Sequence, residues 1–171
     1  MNRLRGYLFF GFLALCLIFL VIWNMSRRPH DNVSFTEGEL KSLAAAPLKN
    51  TSSRHRIVHF WASWCSPCRQ EMPSLLEVLP DLKEHYSIYL ISEDESQDLA
   101  LQFIQQVDSN LERLPYFYWD TKKNVAQSFQ TQLLPETFIL GPDDKILRRI
   151  SGSMNWKEKK NLDYLKSLPR E

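Results

Sequence analysis

The stretch "RIVHFWASWCSPCRQEMPSLL" (Arg56–Leu76) restricts the fold more than any other part of the chain. Arg56–Trp61 is a short β-branched and aromatic run bounded by polar residues, the pattern of a buried strand. From Ser66 to about Tyr86 the spacing turns helical, with Cys68, Met72, Leu75, Leu76 and Leu79 on one face. A strand that passes through one tight turn into a helix puts Cys65 at the helix cap and Cys68 in its first turn. Pro67 suits an early helical position, where its missing N–H costs nothing. Pro73 falls inside the helix and predicts a kink.

Downstream, the alternation continues. "SIYLIS" (Ser87–Ser92) predicts a second strand, and "SQDLALQFIQQV" (Ser96–Val107) an amphipathic helix capped by Ser96. "YFYW" (Tyr116–Trp119) reads as a short extended segment and "KNVAQSFQ" (Lys123–Gln130) as a short helix. "ETFIL" (Glu136–Leu140) and "ILRRI" (Ile146–Ile150) flank the turn "GPDDK" and predict a hairpin. Asn155–Leu168 closes the chain as a helix, with Trp156, Leu162, Leu165 and Leu168 as its apolar contacts. The order β-α-β-α-(β)-α-β-β-α describes an α/β domain. A parallel pair joined by a crossover helix opens it, and an antiparallel hairpin edges a mixed sheet flanked by helices.

Before this domain, Tyr7–Trp23 is a run of 17 residues without a charge. As a helix it would span about 25 Å, at the short end for a bilayer crossing. Tyr7 and Trp23 sit where headgroups favour amphipathic aromatics, and arginines flank both ends. The sequence "IWNMSRRPH" after Val21 offers no small-residue cleavage site, and Leu15 before Cys16 is too bulky for a lipid-attachment site. The expected organisation is a tail over 1–6, a transmembrane anchor over 7–23, a tether over 24–54 and the α/β domain over 55–171. Cys16 would be an apolar filler of the anchor. Residues 31–171 carry a net charge of −3 and no basic stripe, which argues against nucleic-acid binding.

Cys65 and Cys68 are the only cysteines outside the apolar run, too few for a disulfide scaffold. Structural zinc wants four ligands, and His30, His55, His59 and His85 do not supply the usual second pair. Two inert buried cysteines would leave their position at a helix mouth unexplained. Unpaired N–H groups and the helix dipole favour a thiolate there. The arrangement suits a dithiol in which Cys65 attacks and Cys68 resolves.

With "FWASWCSPC", Pro73 eight residues after Cys65, Glu71 in "CRQEMPSL" and "LPETF" (Leu134–Phe138), the chain resembles the thioredoxin superfamily. It is most similar there to membrane-anchored thiol–disulfide oxidoreductases of the TlpA/ResA/DsbE (CcmG) type. The resemblance implies a thioredoxin-like fold over roughly 55–170, a cis Pro135, and Leu134 as the backbone edge that an extended substrate pairs with. It implies proton transfer by Glu71, which shares the Cys68 helix face. Trp64 and Pro67 would border the substrate, Trp64 shielding the disulfide. His59 stands where cytosolic thioredoxins carry an acid; on a buried strand it reads first as a satisfied core residue, and as a cation near Cys68 it would instead favour thiolate. The family's hairpin before the active-site strand is hard to find in "ELKSLAAAPLKNTSSRHR".

The implied function is reduction of disulfides in exported proteins, apocytochrome c first among them, outside the cytoplasmic membrane, with a membrane thiol reductase as electron donor. No flavin or nicotinamide fingerprint is present, and neither a cofactor nor a metal is expected. Net oxidation or isomerisation stays open, as does a non-enzymatic adaptor or copper-delivery role.

Overall fold

A computed structural model describes residues 14–20, 40–44, 54–108 and 115–168. The chain forms two compact units, Met1–Asp31 and Asn32–Glu171. Of the first, the described part is a helical stretch at residues 14–20, here α1. The rest of the expected 7–23 anchor lies outside the described residues, and among the described residues no helix is long and apolar enough to cross a membrane.

The second unit carries six strands: β1 (Leu40–Ser42), β2 (His55–Trp61), β3 (Tyr86–Ser92), β4 (Phe117–Asp120), β5 (Glu136–Leu140) and β6 (Ile146–Ser151). Its helices are α2 (Ser66–Leu82), α3 (Gln97–Val107), α4 (Asn124–Ser128) and α5 (Lys159–Ser167). One sheet holds all six strands in the order β1-β4-β3-β2-β5-β6. The two inner pairs β2–β3 and β3–β4 are parallel, and β5 and β6 add antiparallel at one edge. The mixed sheet, the opening crossover and the closing hairpin thus stand as the sequence pattern implies.

Two expectations need correction. Residues 40–42, assigned to a tether, pair antiparallel with β4, so the sheet begins ahead of residue 55. A three-residue strand is too short to show alternation, which hid it. The last helix starts at Lys159 rather than Asn155. Asn155 instead turns the chain, its carbonyl accepting from the Glu158 amide (3.1 Å) and from Asn161 Nδ2 (2.9 Å). Trp156 is therefore a fully buried turn residue, not a helical one.

Strand alternation divides the core. Ile57 and Trp61 face α2 and α3, packing with Met72, Leu75, Leu79, Phe103 and Trp156. Val58 and Phe60 face the other way, toward Val125, Phe129 and Phe138. His59 shares the parity of Ile57 and Trp61 and so points beneath α2. Helix α2 runs on through Pro73 and Pro80.

Candidate active site

The site is built at the end of β2, where the chain leaves the sheet. Ala62 closes the strand, and the Cys65 amide donates to its carbonyl (3.2 Å). The turn between is tied down from the side by Asp94, whose carboxylate accepts from the Ser63 amide (3.1 Å), the Ser63 hydroxyl (2.7 Å) and the Ser92 hydroxyl (2.8 Å). Arg69 adds a bond from Nη1 to the Ser63 carbonyl (3.3 Å) while its guanidinium lies over Phe103. Cys65 is the residue that caps α2, and its Sγ accepts from the Cys68 amide at 3.2 Å. Helix position and cap are those expected from the sequence.

Cys65 and Cys68 are joined in a disulfide with a Cα–Cα distance of 5.3 Å. The two sulfurs are not equivalent. Cys65 keeps 5% exposure and borders a groove of about 640 Å³, whereas Cys68 has none. Trp64, Pro67 and Leu134 border the same groove, along with Glu93, Lys123, Thr131, Gln132 and Leu133. Trp64 is 66% exposed, so it stands over the opening and is no part of the core. The Leu134–Pro135 peptide is cis. The Pro135 carbonyl accepts from the Gly152 amide (2.9 Å), and Gly152 takes a positive φ of 90° that favours glycine there.

Glu71 does not line that groove and is buried, not solvated. Its Oε1 accepts from Trp156 Nε1 at 2.5 Å. Burial pushes its carboxyl from an ordinary 4.5 up to about 7, against the pull of hydrogen bonds from Trp156 and the Met154 backbone. It borders a second cleft, of about 460 Å³, with Gln70, Ser74, Ser153, Met154, Asn155 and Lys157. The carboxyl can thus trade protons near neutrality without entering the substrate side.

His59 takes the core reading and not the cationic one. It is fully buried, and burial drops its pKa from 6.5 to about 3, so the ring is neutral at physiological pH. Nδ1 is 2.9 Å from the Thr137 hydroxyl, and the ring meets Trp156 edge-on at a centroid distance of 6.0 Å. Its place is structural support behind Trp156.

Three residues were missed by the sequence reading. Trp156 fixes Glu71 from 85 positions away, a partnership that no local spacing encodes. Glu136 is buried and anchors the groove's rim: it accepts from Arg149 Nε (2.8 Å), the Ser151 hydroxyl (2.6 Å) and the Gln132 amide (3.3 Å). Glu93 borders the groove beside Cys65; in sequence it looks like one more acid in the run "SEDES".

A family model described as the AhpC/TSA family matches residues 33–149. The thiol-disulfide oxidoreductase ResA of Bacillus thuringiensis is 27% identical over 122 residues, 71% of this chain and 67% of that protein. The thiol:disulfide interchange protein HelX of Rhodobacter capsulatus is 32% identical over 114 residues, 65% of this chain and 61% of that protein. Among solved structures, the exposed lipoprotein thioredoxin of Streptococcus pneumoniae matches with a TM-score of 0.63 at 19% identity, over 76% of this chain and 98% of that one; it speaks for the fold.

Proposed function

The chain belongs to the AhpC/TSA family of thioredoxin-fold proteins and is a thiol–disulfide oxidoreductase of the ResA/DsbE type, and from that premise we propose that it reduces disulfides of exported proteins while tethered at the outer face of the cytoplasmic membrane. The observation that carries the reading is the asymmetry of the pair: Cys65 at a helix cap and on a groove, Cys68 sealed behind it.

In the reduced protein the Cys65 thiolate attacks one substrate sulfur, and the electron pair of the substrate bond departs on the other. Cys68 then gives its proton to Glu71 and attacks Cys65 Sγ. The enzyme disulfide forms and the first substrate sulfur leaves as thiolate. Leu134 and the cis Pro135 offer an extended peptide an edge beside Cys65. The uncharged run 7–23 supports the tether, and the two-cysteine motif of apocytochrome c is the substrate chemistry that the resemblance favours. A membrane thiol reductase would return electrons to the Cys65–Cys68 disulfide.

The test replaces Cys68 with Ala in the full chain. Mixed disulfides should accumulate through Cys65, and identification of the trapped partners names the substrate. Recovery of no mixed disulfide would overturn the assigned roles. Equilibration of the native protein with dithiothreitol fixes direction: a strongly negative potential fits a reductant, and a potential near that of glutathione would make the protein an oxidant or isomerase.

A further inference from the structure

The reductive half-reaction leaves one group unattended. When Cys65 attacks, the departing substrate sulfur carries a full negative charge into a groove walled by Trp64, Pro67, Leu133 and Leu134. Glu71 does not line that groove: its carboxyl is buried and held by Trp156.

Glu93 is placed to meet that charge. Its amide donates to the Trp61 carbonyl (2.8 Å), continuing the β2–β3 pairing by one residue and setting Glu93 at the sheet end where Cys65 emerges. Its side chain is nine-tenths buried yet borders the groove, and Oε1 has no hydrogen-bond partner. Oε2 is 3.5 Å from Lys123 Nζ, a loose contact for an ion pair. Lys123 reaches there from a left-handed backbone (φ 60°), a conformation unfavourable for a side chain of its kind, and its ammonium also contacts the carbonyls of Glu93 and Asp94. Glu136, by contrast, has both oxygens satisfied by Arg149, Ser151 and Gln132 and does not border the groove.

We propose that Glu93 is a catalytic residue of the substrate half-reaction, donating its proton to the sulfur that leaves the substrate disulfide. The inference rests on the thiol–disulfide reading above. The Cys65 sulfur bonds to the near substrate sulfur, the S–S pair departs on the far one, and the Glu93 O–H proton passes to that thiolate. The carboxylate left behind faces the Lys123 ammonium and regains a proton from water in the open groove. In the opposite direction the same carboxylate takes the proton of an attacking substrate thiol. The charge environment fits: burial, with Asp120 and Asp94 nearby, raises the carboxyl from 4.5 to about 7 against the opposing pull of Lys123, so a large fraction is protonated at neutral pH. Glu71 and Glu93 then divide the work, one for the enzyme's resolving thiol and one for the substrate's leaving thiol.

A pair of probes tests this with the reduced full-length chain. One is an aryl disulfide whose thiol leaves without help; the other is an alkyl disulfide peptide whose basic thiolate needs a proton. Glu93→Gln should slow exchange with the alkyl probe by on the order of ten-fold and leave the aryl rate nearly unchanged. The ratio of alkyl to aryl rates cancels the ionisation of Cys65. It should fall as pH rises through about 7 in the native protein and be flat in Glu93→Gln. Lys123→Met should move the fall to higher pH, since the cation it removes favours the carboxylate. Equal slowing on both probes, or none, overturns the proposal. Should Glu93→Gln not fold, an unshifted ratio in Lys123→Met overturns it. If the native protein exchanges with neither probe, the thiol–disulfide reading itself fails.

Discussion

Glu71 shows what a residue's neighbours add to its sequence position. Its placement three residues after Cys68 puts it on the right helix face, and that much is legible. Its protonation is not, because that depends on burial and on Trp156, distant in sequence. The collapse of a Cys65 mixed disulfide, followed by stopped flow across pH, should carry a limb near 7 in the native protein. Glu71→Gln should remove that limb and slow collapse at pH 7 by on the order of ten-fold. Trp156→Phe keeps an aromatic ring but deletes the donor that favours the carboxylate. It should shift the limb to higher pH, lower the rate below the limb and leave the plateau above it largely intact. An unshifted limb would mean that the 2.5 Å contact does not control the carboxyl. At His59 the sequence leaves a core imidazole and a cation near Cys68 both open, and a strand buried on both faces decides for the neutral core imidazole.

At the scale of elements, the central strands and α2 were readable because burial imposes a period on them. Ile57 and Trp61 alternate with Val58 and Phe60, and the α2 face of Met72, Leu75 and Leu79 recurs at helical spacing. β1 was not readable, and neither was the true start of α5: the first is held by pairing with β4 and the second is delayed by the Asn155 turn. The two kinds of element should differ in what they stabilise. Leu75 is fully buried under the active-site helix, and Leu75→Ala should cost about 2–5 kcal/mol of unfolding free energy. Leu40 is buried on a three-residue edge strand that can peel away, so Leu40→Ala should cost less, about 1–2 kcal/mol. Urea midpoints measure both, and a Leu40 cost equal to that of Leu75 would show β1 to be integral to the cooperative unit. Neither change touches the groove beside Cys65, so thiol exchange of the folded fraction should persist.

Across the whole molecule, three buried titratable groups make stability depend on pH in opposing directions. His59 binds a proton in the unfolded chain below about 6.5 but in the folded one only below about 3. Its contribution is full above 6.5 and is lost as pH falls toward 3. Glu71 and Glu93 behave oppositely. Each holds a proton to about 7 when folded and to 4.5 otherwise, so the folded state binds more protons in that window and loses stability as pH rises through it. Between 4.5 and 6.5 two acids outweigh one imidazole, and below 4.5 only the imidazole acts. The joint contribution of the three therefore peaks near pH 4.5 rather than at neutrality. Variant-minus-native differences isolate it, because every other carboxylate cancels. His59→Asn, which can still pair with Thr137, should be most destabilising relative to native at neutral pH and converge on native stability, or overtake it, toward pH 3. Glu71→Gln and Glu93→Gln should each gain on native between pH 4.5 and 7, by on the order of a few kcal/mol at most given their partial solvent access. A difference curve for His59→Asn that stays level from pH 7 to 3 would require an imidazole that takes up its proton as readily in the fold as in the unfolded chain. The neutral core assigned behind Trp156 would then be wrong, and with it the assignment of proton traffic to the two carboxyls alone.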